Sequence, residues 1–239
     1  YNPSDNIHLV VWLQNESGLN DLYETYGRLV EASGGTYTYL GDPFKISDFT
    51  PDVGRSSEAP AVAYGDLGNE RVFLVTWTDD RLSDERREIF GQFINAATGD
   101  FIGSNIQISN VSAFGVDKDA TESAVAFSKI QQEFLVAWKD DRFQSGNIES
   151  DIIGRRVDAI TKDTVTGEIR ISNTSDAGSV RNADKPKVAW NGSENEYLVV
   201  WEADQLGGSN NDRFEIFGQL LDGTANEIGS DFRISNVVD

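Results

Sequence analysis

The sequence predicts an all-β chain built as a β-propeller-like array of four repeats, and three recurring markers carry the prediction. Leu-Val-x-Trp begins at Leu9, Leu74, Leu135 and Leu198 and ends on Trp12, Trp77, Trp138 and Trp201. An acid-x-x-Gly motif follows, with its glycine at Gly27, Gly91, Gly154 and Gly218. Ile-Ser then falls at Ile46-Ser47, Ile108-Ser109, Ile171-Ser172 and Ile234-Ser235. The tryptophans lie 65, 61 and 63 residues apart, and the other two markers keep the same period near 63. Such a period is the mark of a repeat architecture.

Each unit reads as four short antiparallel strands. In the second unit they are expected over residues 60–64, 72–77, 88–95 and 104–109, separated by turn-rich stretches at 65–69 and 97–100. No segment shows sustained helical periodicity. In the second strand Phe73, Val75 and Trp77 share one face, while Leu74 and Thr76 share the other; in the fourth unit Tyr197, Val199 and Trp201 oppose Leu198 and Val200. A strand apolar on both faces suits a sheet packed between two others. Four-stranded sheets stacked about an axis describe a propeller, and 63 residues are too few for an immunoglobulin-like sandwich. The expected organisation is one repeat domain over 1–239, with units at about 1–59, 60–122, 123–185 and 186–239.

Composition removes several function classes. Of 239 residues, 40 are acidic and 20 basic, for a formal net charge of −20. A surface this anionic repels phosphate, so nucleic acid is excluded as a partner and anionic lipid is no better. There is no cysteine, which removes disulfides, thiol nucleophiles and cysteine metal sites. No apolar run reaches the roughly 18 residues of a membrane span, so no membrane insertion is expected. Methionine is absent even at position 1, so the chain is expected to begin at a processed or excised site.

The stretch Phe-Leu-Val-Thr-Trp-Thr-Asp-Asp-Arg at 73–81 with Glu-Ile-Phe-Gly-Gln at 88–92 is echoed by Tyr-Leu-Val-Val-Trp at 197–201 with Glu-Ile-Phe-Gly-Gln at 215–219. These segments resemble repeats of large secreted bacterial and archaeal proteins that look like β-propellers. The resemblance covers essentially the whole chain and implies the fold and an extracellular or cell-surface location. It carries no site, and the WD40, sialidase Asp-box and FG-GAP signatures are missing.

The phase of the repeats adds one expectation. Tyr1 lies as far before Trp12 as Phe127 lies before Trp138 and Trp190 before Trp201, so it aligns with the last residue of a first strand. The first unit is therefore expected to lack its first strand, and the chain to be a fragment of a longer repeat protein.

Candidate sites were weighed against the repeat: a residue needed in every unit is structural, whereas a catalytic residue belongs to one unit. The acids Glu24, Glu88, Asp151 and Glu215 read as structural, with an acidic ring around a channel as the rival. The four glycines mark close backbone approach and are expected to make room for the tryptophans. The terminal serines suit side-chain-to-backbone bonds. His8 stands where the other units have Phe73, Phe134 and Tyr197, so it reads as a slot residue; with no second histidine, Ser-His-Asp and multi-histidine metal chemistry drop out. The pairs Asp79-Asp80 and Asp140-Asp141, each followed by arginine, offer oxygen ligands for Ca²⁺, the one candidate cofactor. The segment at 31–43 carries Gly34-Gly35 with Tyr37 and Tyr39, which the other units lack; it reads as a plain loop, with Tyr37 and Tyr39 as candidate sugar-stacking residues, and the polar loop at 207–212 is a second departure. Asn15, Asn110, Asn173 and Asn191 each open a glycosylation sequon.

No pair of carboxylates stands out as asymmetric. The resulting expectation is a non-catalytic extracellular or cell-surface scaffold for binding or assembly, with a protein, a glycan surface or further copies of itself as partner. The alternative is a calcium-dependent carbohydrate-binding or adhesin module, and the second alternative a glycan-cleaving enzyme.

Overall fold

The computed structural model describes residues 1–15, 22–47, 56–83, 86–111, 118–142, 150–165, 167–172, 182–204 and 214–236. Among them are four antiparallel sheets and no α-helix. Sheet 1 holds β1 (Ile7–Asn15), β2 (Tyr23–Ser33) and β3 (Thr36–Lys45). Sheet 2 holds β4 (Ser57–Asp66), β5 (Arg71–Ser83), β6 (Arg86–Asn95) and β7 (Phe101–Gln107). Sheet 3 runs β8 (Ala120–Ser128), β9 (Glu133–Asp140) and β10 (Asp151–Asp158), and its outer strand is broken into β11 (Asp163–Thr164) and β12 (Ile169–Arg170). Sheet 4 holds β13 (Ala183–Asn191), β14 (Glu196–Asp204), β15 (Phe214–Asp222) and β16 (Glu227–Arg233).

All four strands expected in the second unit are present and longer than expected. The segment at 31–43 is not a loop but a hairpin. Ser33 pairs with Thr36 across Gly34 and Gly35, whose φ values of 59° and 82° fit the two-residue turn that matches strand twist.

The sheets stack in chain order. The inner strands β4, β8 and β13 touch in succession, and β1 and β2 pack on β4. Among the described residues no comparable contact joins sheet 4 to sheet 1, and they form no closed ring. Each junction holds an apolar core centred on a tryptophan: Trp77 between sheets 1 and 2, Trp138 between 2 and 3, Trp201 between 3 and 4. The alternation in β5 is as its sequence dictates. Phe73, Val75 and Trp77 face sheet 1, and Val72 and Leu74 face sheet 3.

One clasp in every sheet ties the strand that carries the repeated glycine (β2, β6, β10 or β15) to the end of the outermost strand. The serine of each Ile-Ser accepts a backbone N–H from the residue after the acid: Thr25 to Ser47 at 2.8 Å, Ile89 to Ser109 at 2.7 Å, Ile152 to Ser172 at 2.8 Å and Ile216 to Ser235 at 2.8 Å. The same hydroxyl donates to the acid itself, Glu24, Glu88, Asp151 or Glu215. Buried carboxylates are costly unless hydrogen-bonded, and these are structural. Lys45 and Arg170 add ion pairs to Glu24 and Asp151 at 2.7 and 2.6 Å.

The repeated glycines do allow close approach, but to the isoleucine and not, as expected, to the tryptophan. A Cβ would lie 2.7 Å from Ile46 Cδ1 at Gly27, 2.9 Å from Ile108 at Gly91, 2.7 Å from Ile171 at Gly154 and 3.0 Å from Ile234 at Gly218. The isoleucine thus fills the volume that a side chain at the glycine would claim.

Substituting Gly91→Ala is expected to destabilise the chain by about 1–3 kcal/mol through overpacking against Ile108 and the Val75 carbonyl. Adding Ile108→Val, which removes the clashing methyl, should recover part of that loss. Urea denaturation of the two single variants and the double variant checks this coupling.

Asp222 caps the β15–β16 turn, accepting from the backbone of Thr224 at 2.8 Å and Asn226 at 2.9 Å and from the Thr224 hydroxyl at 2.8 Å. Partial burial pushes its carboxyl up, but these hydrogen bonds outweigh it and hold the pKa at about 2, below the ordinary 3.8. The stabilisation is therefore complete above the ordinary value and is lost as pH falls towards 2. In thermal melts the advantage of the native chain over Asp222→Asn should close between about pH 4 and pH 2.

Candidate active site

The three inner strands each bulge at the same repeat position. Pairing slips between Glu58 and Ala61, between Thr121 and Ala124, and between Asp184 and Lys187. Inside each slip one non-glycine residue takes a positive φ: Ala59 at 47°, Glu122 at 57° and Lys185 at 53°. Left-handed backbone is unfavourable for such residues, and bulges commonly re-aim side chains next to functional sites. Here the bulges surround one cavity of about 700 Å³, walled by β4, β8 and β13 and extended by Trp201, Glu202 and Ile216 of sheet 4.

Lys185 connects the two carboxylates of this cavity. Its backbone N–H donates to Glu122 Oε2 at 2.9 Å, and its Nζ donates to Glu202 Oε2 at 3.0 Å. The hydrogen bond and charge of Glu202 raise the Lys185 ammonium above its ordinary pKa. The Glu122 backbone is fixed in turn, its N–H donating to Thr78 Oγ1 at 3.1 Å, while Ser123 Oγ meets Thr76 Oγ1 at 2.9 Å. Outside the cavity lining, Lys139 pairs with Asp184 at 2.6 Å, and Arg87 lies 3.6 Å from Glu58 and 3.4 Å from Asp119.

Repeat arithmetic could have found this constellation. Glu122 stands 63 residues from both Ala59 and Lys185, and Glu202 follows its tryptophan where the other units have Leu13, Thr78 and Lys139. Both acids therefore occur in one unit only. No motif in the sequence marks them as a pair, because these two come together only when sheets 3 and 4 stack.

The sequence-predicted residues lie elsewhere. Asp79 is buried, accepting from Trp77 Nε1 at 2.7 Å and from Arg81 at 2.6 Å; Asp140 repeats this with Trp138 Nε1 at 2.8 Å and Arg142 at 2.6 Å. Burial works against the Arg142 charge, but Asp140 and Glu168 outweigh it and hold the guanidinium above the usual arginine range. Asp80 accepts the Ser56 N–H at 2.7 Å, and Asp141 accepts the Asp119 N–H at 2.7 Å, with burial raising the Asp141 carboxyl. Among the described residues no three His, Asp or Glu side chains gather as a metal site. Tyr37 and Tyr39 are exposed on β3, the strand of sheet 1 farthest from β1, with ring centroids 5.4 Å apart and the Arg28 guanidinium 3.8 Å over Tyr39. His8 stacks on Tyr1 at 4.4 Å. The polar loop at 207–212 and Asn173 lie outside the described residues. No described helix is long and apolar enough to cross a membrane.

No protein-family model and no curated protein sequence matches the chain. Solved structures do. The GH93 α-L-arabinofuranosidase of Fusarium graminearum is similar over 97% of this chain and 64% of its own, with a TM-score of 0.63 at 15% identity. The α-L-arabinanase of Penicillium chrysogenum matches 95% of this chain and 63% of its own, at 0.62 and 13%. The endo-arabinase of Bacteroides thetaiotaomicron matches 98% and 78%, at 0.60 and 10%. This chain thus spans a little under two thirds of the first two enzymes, and the likeness establishes the shared all-β, propeller-like architecture. The expectation of a non-catalytic scaffold, and of no enzyme, is corrected by these neighbours, which are glycan-cleaving enzymes.

Trp201 gives a direct test of the tryptophan–aspartate pairing. Ala203 stands where Asp79 and Asp140 stand, and the buried Trp201 Nε1 has no hydrogen-bond partner. Trp77→Phe and Trp138→Phe should each cost about 1–2 kcal/mol more than Trp201→Phe, because only they strip a donor from a buried carboxylate. Chemical denaturation of the three variants checks the ranking.

Proposed function

We propose that the protein is a glycoside hydrolase whose active site is the axial cavity, acting on an extracellular polysaccharide with arabinose-containing chains as the first candidates. The observation that carries the reading is the pair Glu122 and Glu202: two acids without repeat counterparts, brought to one cavity and held on either side of Lys185. The architecture shared with arabinan-cleaving enzymes supports it.

Glycoside hydrolysis needs one carboxylic acid to protonate the departing oxygen and one carboxylate to serve as base or nucleophile. The two roles require different environments, and the cavity supplies them. Glu202 pairs with the Lys185 ammonium at 3.0 Å, and to it we assign the role of base or nucleophile. Glu122 accepts the Lys185 backbone N–H, and to it we assign the role of proton donor. Lys185 orients both, and its strained backbone keeps the amide on Glu122 while the side chain reaches Glu202. Val188, Val200 and Ile216 give the cavity an apolar wall against which a sugar ring can lie.

Reducing-sugar release from arabinan and arabino-oligosaccharides by the intact protein tests the proposal. Glu122→Gln and Glu202→Gln should each lower kcat/KM by roughly 10²–10⁴ at unchanged thermal stability. Release from no glycan in a broad panel, or wild-type rates in both variants, would count decisively against it.

A further inference from the structure

We infer that the glycan seated in the axial cavity is acidic: a uronate carboxylate held by Lys187, one sugar away from the Glu122–Glu202 pair. This deepens the reading above and rests on the cavity being a glycan site, though not on catalysis there.

Lys187 is an exception to the repeat. It stands 63 residues after Ala124, which stands 63 after Ala61. All three line the cavity, and each is the first residue paired after the bulge of its inner strand. Alanine therefore satisfies the fold at this position in two units, and the lysine of the third answers to something else.

An ion pair is not that something. In a chain of net charge −20, Lys45, Lys129, Lys139, Lys162 and Lys185 each pair with a carboxylate at 2.6 to 3.0 Å. Lys187 pairs with none among the described residues. Its Nζ donates to the neighbouring Pro186 carbonyl at 3.1 Å, and the residue is exposed. Lys185, the other lysine of the cavity, already serves Glu202. A chain this anionic repels an acidic sugar unless the site supplies its own cation, whereas a neutral sugar needs none.

The register sets the spacing. Lys187 lies directly opposite Val200, so both side chains leave the same face of sheet 4. Glu202 follows on that face two residues along β14, about 6.8 Å away. That is close to the length of one sugar. With a reacting anomeric carbon at Glu202, the neighbouring ring lies over Val200 and presents its carboxylate to the ammonium. A sulfate ester fits less well. Its oxygens are matched by arginine forks, and no arginine is among the described residues of the lining, while a lone ammonium is a compact point charge.

Calorimetric titration of the Glu122→Gln variant tests the inference with three probes. These are a glucuronate-bearing arabinoxylan oligosaccharide, the same oligosaccharide with its carboxyl reduced to the alcohol, and a sulfated arabinogalactan oligosaccharide. The uronate should bind about tenfold more tightly than its reduced form, the lower end of what a hydrogen bond to a charged group contributes. Adding Lys187→Ala, which restores the residue of the other units, should leave Tm unchanged and make the two forms bind alike. Equal affinities before that substitution would overturn the inference, as would a preference that survives it. So would binding of neither form, or a preference for the sulfated probe alone. Cleavage of both forms by the native protein without preference would spare the hydrolase reading and sink this one. A Lys187-dependent preference with no cleavage of any glycan would do the reverse.

Discussion

The structure depends on one local constraint, the missing Cβ on the strand next to the outermost one in each sheet. With a hydrogen at Gly27, Gly91, Gly154 and Gly218, the isoleucine of Ile-Ser can lie across that strand. Its neighbouring serine then reaches the acid and the backbone N–H that open the strand. A buried carboxylate, a buried amide and an outer strand are satisfied by one hydroxyl. Without the clasp, the end of the outermost strand would lose a side-chain anchor and the acid one of its hydrogen bonds. The sheet would also lose the even face on which the next tryptophan packs. Close packing makes such contacts intolerant of even one methyl.

From that repeated frame the cavity follows as a place where repetition fails. The bulges in β4, β8 and β13 occur at one position because each inner strand meets its partner through the same slipped register. The backbone at the axis is therefore common to all three, while the side chains Ala59, Glu122 and Lys185 differ. A scaffold that repeats and a lining that does not is what a specific site on a repeat protein requires. The charge distribution agrees. In a chain of net charge −20, Lys185 and Lys187 both line the cavity. Placing a lysine beside Glu202 tempers the repulsion that two neighbouring carboxylates would otherwise feel.

Much of this was legible in the sequence, and the failures have physical causes. The strand count, the period and the two apolar faces of β5 follow from alternation alone. The partner of the glycine did not, because tryptophan and isoleucine recur at the same period and only the pairing of the outermost strand decides which one arrives. For Asp79-Asp80, the candidate Ca²⁺ pair, the structure adds that neighbouring residues on a strand face opposite ways: Asp79 shares a face with Trp77 and Arg81, and Asp80 turns to Ser56. The segment at 31–43 read as a loop because its glycines and polar residues hide a hairpin. Glu122 and Glu202 carry no motif. Their signal lies in being exceptions to the repeat, and that becomes a site only once stacking brings β8, β13 and β14 together.

The central claim is that the axial cavity holds the scissile bond between residues 122 and 202. A crystal structure of the Glu122→Gln variant with a bound arabino-oligosaccharide tests it most directly. The account predicts sugar in the cavity, its glycosidic oxygen within hydrogen-bonding distance of residue 122 and its anomeric carbon facing Glu202. A saccharide seated on Tyr37 and Tyr39 of β3, with nothing between the two axial residues, would contradict it.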